Sequence, residues 1–354
     1  TSNGLLPGDS VLNLKFKQLN KKIRTKAMSD LYEKLNNPQG SLKELVLYIR
    51  AYTGINCGGP TSPIWFCSLE PGSGAFSINK ETSEYEIIRP EDYSEAKEHY
   101  TTNPKLVKNY LNNETICDYL RGNFSHNHNA KGRRGGSAFY RSMISILTAL
   151  KEPQKSSTTL TRPYAAVETY KFFDEDAWGF SFNVSPISVS TRDRAQLEWC
   201  SIKNHESVDT FRLLEVPESN EKLTFSEWTG CPNYTDFFSW CAKERHQTFK
   251  KLREFYKPKL IYCSGLSSLK SFSDLWFGEM ADQQIEKYKK KNFAGSKGRS
   301  TELSYTWIEN IDHEPTLLVI GPFFGVRYYL SSYQGNVALA RKLQELLDEK
   351  AISL

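Results

Sequence analysis

The sequence lacks most signatures of metal, cofactor and disulfide sites. Its seven cysteines form no CxxC pair and are odd in number, which favours buried thiols over a disulfide framework or a zinc site. No P-loop, GxGxxG motif or lysine-based lyase motif follows a strand-like run. The pair His126 and His128 has a spacing that can bind metal, but no cysteine or acidic motif completes it. We therefore expect no metal and no cofactor.

Long apolar runs are also missing. No stretch approaches the length of a membrane-spanning helix, and the first residues lack the apolar core of a signal peptide. No internal repeat or low-complexity segment is evident. These absences favour a soluble, cytoplasmic protein with no membrane partner, and nothing indicates an obligate protein partner.

What the sequence contains is typical of a folded globular protein. Its 354 residues are 39% hydrophobic and 13% aromatic, enough for a substantial core. The formal net charge of +5 makes the chain mildly basic. That charge is compatible with a nucleic-acid partner but does not require one.

Short apolar, β-rich runs alternate with helical patterns, which predicts an α/β fold. The strand-like runs are residues 63–69, 178–186, 211–216, 260–263 and 316–325. The strongest helical patterns are residues 138–150, the amphipathic segment ending near Tyr256, and residues 335–350. Such an alternation predicts a three-layer α/β/α sandwich with a central, mostly parallel sheet.

The domain prediction has two parts. Residues 1–60 are expected to form an N-terminal helical extension that packs on the core, and residues 61–354 the α/β domain. Helical or basic insertions are expected near 90–137 and 266–305. Within the second, the lysine-rich residues 283–299 are interpreted as a helix followed by an exposed loop.

Three of the strand-like runs end in polar turns: Ser68–Gly72, Asn183–Pro186 and Gly321–Gly325. If the sheet is parallel, all three turns lie on one edge. Ligands of open parallel sheets bind outside the carboxyl ends of the strands. The sequence therefore predicts a functional site at this edge.

The first of these turns, Ser-Leu-Glu-Pro-Gly, resembles the first motif of the uracil-DNA glycosylase superfamily. In that family a buried strand delivers an Asp, Asn or Glu beside a proline, and Tyr or Gly follows. The resemblance implies that Glu70 activates the water, that Pro71 is the family's proline, and that Gly72 occupies its variable position. Leu69, Pro71 and Gly72 would then line the base pocket.

Later elements extend the resemblance over residues from about 63 to 347. Phe76 is similar to the phenylalanine that stacks on the extruded base, and Asn183 to the asparagine that reads the base edge. The segment YKPKLIYCSG is similar to the family's penultimate strand, and the last strand, loop and helix to its final motif. There is one departure: the final motif reads Gly321-Pro322-Phe323, where the family has His-Pro-Ser and its histidine stabilises the departing base.

Each candidate residue has both a catalytic and a structural interpretation. A fixed carboxylate such as Glu70 can stabilise an oxocarbenium-like sugar cation and orient the attacking water, or it can simply cap the following turn. By the resemblance, Gly72 removes the tyrosine that excludes thymine and so admits a large C5 substituent; it can equally serve the backbone of the turn. Asn183 offers a donor and an acceptor, which suits uracil and cytosine alike, or is a structural asparagine at a strand end.

A glycosylase must also hold the DNA and fill the gap left by the extruded nucleotide. Aromatic residues on a loop can wedge into the duplex, and basic residues can contact phosphates, although the same residues also suit core packing or a solvated surface. The candidates are Lys131, Arg133, Arg134, Arg192, Arg194, Arg327, Tyr328 and Tyr329.

The sequence thus predicts a monofunctional DNA glycosylase that flips a 5-modified pyrimidine out of DNA and leaves an abasic site. A 5-substituted cytosine of the kind found in some phage DNA is the expected target, which would make the protein an antiviral defence enzyme. Two alternatives stay open. One is a non-catalytic DNA-binding protein on the same fold that reads modified DNA; the other is a hydrolase of small nucleosides.

Overall fold

The computed structural model describes residues 26, 28–40, 42–43, 46, 55–57, 59–69, 76–78, 85–87, 138–152, 178–185, 223–324, 330 and 332–354. All structural statements below concern those residues.

Nine strands and six α-helices have both of their ends within the described ranges. The strands are β1 (Ile55–Cys57), β2 (Ile64–Ser68), β3 (Phe76–Ile78), β4 (Tyr85–Ile87), β5 (Gly179–Asn183), β6 (Leu260–Ser264), β7 (Lys289–Ala294), β8 (Ser300–Asn310) and β9 (His313–Gly321). The helices are α1 (Ala138–Lys151), α2 (Phe225–Thr229), α3 (Tyr234–Tyr256), α4 (Leu269–Phe277), α5 (Ala281–Ile285) and α6 (Tyr333–Asp348).

Seven of the strands form one sheet in the order β1-β5-β2-β6-β9-β8-β7, and β3 pairs with β4 separately. The central four strands, β5, β2, β6 and β9, are mutually parallel. The outer strands β1, β8 and β7 are antiparallel to their neighbours. The α/β class is therefore confirmed, but the sheet is mixed: the predicted parallel arrangement is correct only for its centre.

Helices pack on both faces of this sheet, because each central strand is apolar on both sides. On one face, strand residues such as Trp65, Phe182 and Ile261 form a core cluster with α3 and α4. On the other face, residues such as Phe66 and Leu317 form a second cluster with α1 and α6. The helical residues 28–36 and the described part of residues 40–46 pack into the first cluster through Leu31, Leu35, Leu42 and Val46.

The limits of α3 have clear local causes. Asn233 caps its start by accepting a hydrogen bond from the backbone N–H of Asp236 at 2.9 Å. Lys257 ends it in the left-handed conformation, with φ 50°, directly before Pro258, which cannot continue a helix. The predicted end near Tyr256 is confirmed, as are the predicted helix at 138–150 and the final helix.

The order of the parallel strands creates a switch point. Along the chain they occur as β2, β5, β6, β9, whereas in the sheet they lie as β5-β2-β6-β9. The helix after β2 covers one face, and the helices after β5 and β6 cover the other. Sheets of this type bind ligands outside the carboxyl ends of the strands where the order reverses, here beside the end of β2 and between it and β6.

Three predictions about individual segments differ from the structure or lie outside it. Residues 283–299 begin in a helix as predicted, but the exposed loop predicted next is wrong, because Lys289–Ala294 is strand β7 and pairs with β8. Its side chains are exposed at every position but Phe293, so it carries no apolar alternation. The strand predicted at 211–216 and the insertion predicted near 90–137 lie outside the described residues.

Candidate functional site

All four parallel strands end at the same edge of the sheet, as the three strand-end turns predicted. Asn183 of β5 pairs with Ser68 of β2, and Ser264 of β6 pairs with Gly321 of β9. The pairing of β2 with β5 continues one step further, because the N–H of Ser185 donates to the carbonyl of Leu69 at 2.8 Å. The candidate site is this carboxyl edge.

Polar side chains form a row across the edge. Strand residues alternate between the two faces, and Phe66 and Tyr262 belong to the cluster of α1 and α6. Asn183, Ser68 and Ser264 therefore face the same side. All three are buried, and within the described residues the hydroxyl of Ser68 has no hydrogen-bond partner. The row consequently holds donors and acceptors at the point where three neighbouring strands end.

A fully buried arginine lies beneath this row. Arg245, from the middle of α3, is 0% exposed, and its Nη1 donates to the carbonyl oxygen of Asn183 at 2.8 Å and also to that of Val184. Its guanidinium lies 4.8 Å from the ring centre of Phe249. Burial raises the pKa of the Cys67 thiol well above its usual value, while the charge of Arg245 acts in the opposite direction. The arginine thus fixes the end of β5 and places a cation close to the end of β2.

Tyr262 fills the space beside the end of β9. Its hydroxyl donates to the carbonyl oxygen of Pro322 at 2.8 Å, and burial raises its pKa well above the usual value, so the phenol stays neutral. A Cβ atom at Gly321 would lie 2.2 Å from this hydroxyl oxygen. Position 321 is where the family resemblance places a histidine, and here the tyrosine occupies the volume that any side chain at 321 would need.

The turn after β9 is fixed on both sides of one exposed aromatic residue. The N–H of Phe324 donates to Oγ of Ser264 at 3.0 Å, and the Phe324 ring stacks on Tyr262 with centroids 5.0 Å apart. Between the anchored Pro322 and Phe324, Phe323 is 40% exposed. A large ring held on a rigid turn at the carboxyl edge is suited to stacking against a planar ligand.

The structure bears on three of the residues assigned to the base pocket. Leu69 lies at the edge but is 6% exposed and belongs to the core cluster of α3 and α4, within reach of Gly265. Asn183 lies at the edge, 1% exposed, in register with Ser68. Phe76 is the first residue of β3, outside the main sheet.

The other predicted site residues lie outside the described residues and stay predictions. They are Glu70, Pro71, Gly72, Lys131, Arg133, Arg134, Arg192, Arg194, Arg327, Tyr328 and Tyr329.

Three residues at this edge were not singled out by the sequence. Arg245 lies in an amphipathic helix with many charged residues, and the sequence pattern does not indicate that its side chain is buried. Tyr262 is one apolar position of a strand, and its contact with Gly321 spans two strands. Phe323 lies within the predicted turn. The adjacent pair Phe323-Phe324 was the available signal, because two neighbouring rings in a turn are not expected to be buried together, so one of them should be exposed.

Within the described part of the chain, no group of three or more His, Cys, Asp or Glu side chains is arranged to hold a metal ion. Among the same residues, no helix combines the length and apolar character needed to cross a membrane. Comparisons with protein-family models, curated proteins and solved structures find no match to this chain.

Proposed function

We propose that the protein is a monofunctional DNA glycosylase, and that its site is the carboxyl edge at the end of β2. The observation that carries the proposal is the register of Ser68 with Asn183. It brings the strand that leads into Glu70 next to the residue proposed to read the base. The switch in strand order beside β2 supports the same edge as the ligand site.

In the proposed reaction, Glu70 orients and deprotonates a water that attacks the anomeric carbon of a flipped nucleotide. The N-glycosidic bond breaks, its electron pair leaves with the base, and the sugar keeps the water's oxygen. The negative carboxylate stabilises the cationic character of the sugar as the bond breaks. The base pocket would be formed by Asn183, Phe76 and the open position at Gly72, which suits a 5-modified pyrimidine. A role in defence against phage DNA with such bases follows from that substrate.

The departing base would have to leave without the histidine of the family's final motif. The contact between Tyr262 and Gly321 explains why no side chain stands there, and it favours the second candidate, a DNA-binding protein on the same fold that reads modified DNA without cutting it. The two candidates differ in one product, the abasic site.

An abasic-site assay tests the proposal. The wild-type protein is incubated with duplex and single-stranded DNA containing uracil, a thymine mismatch or a hypermodified cytosine, and the strands are then cleaved with alkali. We expect alkali-labile sites on one of these substrates, and a rate lower by about 100-fold or more for Glu70→Gln.

The matched control is Glu314→Gln, which removes an exposed carboxylate at the opposite end of the sheet and should leave the rate unchanged. Tight DNA binding without an abasic product on any substrate would favour the non-catalytic candidate.

A further inference from the structure

The hairpin formed by β7 and β8 projects past the candidate site. Ser304 of β8 pairs with Ile320, one residue before β9 ends, yet β8 begins four residues earlier, at Ser300. At about 3.4 Å per residue, those four residues carry the hairpin roughly 14 Å beyond the level of Ile320. The turn of this hairpin, residues 295–299, therefore overhangs the carboxyl edge of the sheet.

The tip of the hairpin, beyond Glu302, carries positive charge only. From Asn292 to Thr301 the sequence NFAGSKGRST contains Lys297 and Arg299 and no acidic residue. Both basic residues are exposed. Further back on the strands, Lys290 contacts Glu302 at 2.8 Å and Lys291 contacts Glu349 at 3.4 Å.

The turn itself is well defined. The N–H of Gly295 donates to the carbonyl of Arg299 at 2.8 Å, and the N–H of Gly298 to the carbonyl of Gly295 at 3.1 Å. Lys297 has φ 59° and ψ 28°, in the left-handed region that favours glycine or asparagine.

Phe323 and the hairpin both lie at the carboxyl edge of the sheet. Phe323 follows the end of β9 by two residues, and β8 and β7 are the next two strands of the sheet, so the hairpin axis lies roughly 7 Å to one side of β9. This distance corresponds to about two nucleotides of a B-form strand at ~3.4 Å each. Exposed aromatic rings bind the bases of a nucleic-acid strand by stacking, and cations bind its phosphates.

We propose that the turn of the β7–β8 hairpin binds the phosphate backbone of DNA, with Phe323 stacking on a base of the same strand. The proposal rests on the function proposed above, since it assumes DNA at the carboxyl edge. Lys297 and Arg299 contact phosphates a few nucleotides away from the base held at that edge. The contact is independent of sequence, because it involves the backbone alone.

The test compares two double variants that each remove two positive charges. Lys297→Gly with Arg299→Gln alters the hairpin, and the glycine keeps the left-handed backbone. Lys250→Ala with Lys251→Ala alters the last turns of α3, at the opposite end of the sheet, and serves as the control. Binding of a fluorescently labelled 20-nucleotide DNA, single-stranded and duplex, is measured from low to physiological salt.

We expect the hairpin variant to bind on the order of tenfold more weakly near 0.1 M salt. The slope of log K against log salt should fall by about two, because each of the two substituted cations neutralises one phosphate in the wild type. The control should match the wild type in both respects. If the hairpin variant binds DNA as tightly as the wild type, this proposal is overturned and the proposed function stays intact. Absence of DNA binding by the wild type itself would overturn both.

Discussion

The contact between Gly321 and Tyr262 makes a quantitative prediction for Gly321→Ala. The new Cβ would lie 2.2 Å from the tyrosine hydroxyl oxygen and 2.6 Å from Cζ, so the ring would have to move by about 1 Å to reach ordinary contact distance. The ring is not free to move, since it stacks on Phe324 at 5.0 Å and its hydroxyl is bonded to Pro322. Overpacking of this kind costs about 2–3 kcal/mol of unfolding free energy.

Equilibrium unfolding in urea measures this cost. Two substitutions of Tyr262 then test whether the cost comes from the contact with its ring. Tyr262→Phe keeps Cζ 2.6 Å from the new Cβ, so it should not relieve Gly321→Ala. Tyr262→Leu removes the ring, and in that background Gly321→Ala should cost close to nothing, which corresponds to a coupling of about 2 kcal/mol.

Gly179→Ala is the control for adding a methyl group to a strand glycine. Its Cβ would lie 2.6 Å from Cδ1 of Leu147, the flexible end of a side chain that can rotate away, so we expect a cost of about 1 kcal/mol or less. Unfolding of Gly321→Ala at the wild-type urea concentration would contradict a clash with Tyr262, and so would an equal cost with tyrosine and with leucine at 262. A small cost would also remove the structural reason for a glycine at position 321.

Two further predictions concern the carboxyl edge. Arg245→Met keeps most of the side-chain volume but leaves two strand-end carbonyls without their donor, so unfolding free energy should fall by about 3 kcal/mol in urea titrations; a wild-type value would mean that the guanidinium is dispensable. Phe323→Ala should weaken binding of single-stranded DNA by about 1–3 kcal/mol with an unchanged melting temperature. Phe255→Ala, which removes another exposed ring at the end of α3, should leave binding as it is, and an equal loss for both variants would argue against stacking by Phe323.

The central sheet could be predicted from the sequence because its signals are local. The apolar runs that became β2, β5, β6 and β9 are short, continuous and bounded by turn residues, which is typical of strands buried on both faces. The meeting of their ends at one edge then followed from the rule for parallel sheets. No tertiary contact was needed for that inference.

The hairpin and the support of the site could not be predicted in this way. Strand β7 reads KKKNFA and has one buried residue, so it lacks the alternation that marks a strand; its pairing with β8 determines its structure. Arg245 and Tyr262 act through partners 60 or more residues away in sequence. Such pairings depend on how the elements pack, which periodicity does not encode. The role of Glu70 stays a prediction, because the described chain stops at Leu69 on this side.

The two outermost strands limit how the protein can associate with itself. An open sheet exposes backbone N–H and C=O groups along its margins, where a second chain can add a strand and begin an aggregate. Among the described strands, one margin is β1, which is three residues long, and the other is β7, which carries three consecutive lysines, two of them paired with Glu302 and Glu349. Lysine side chains along β7 hinder the pairing of a second chain there, and β1 offers three described residues for pairing. Neither margin of the described sheet therefore favours the addition of a strand from a second copy.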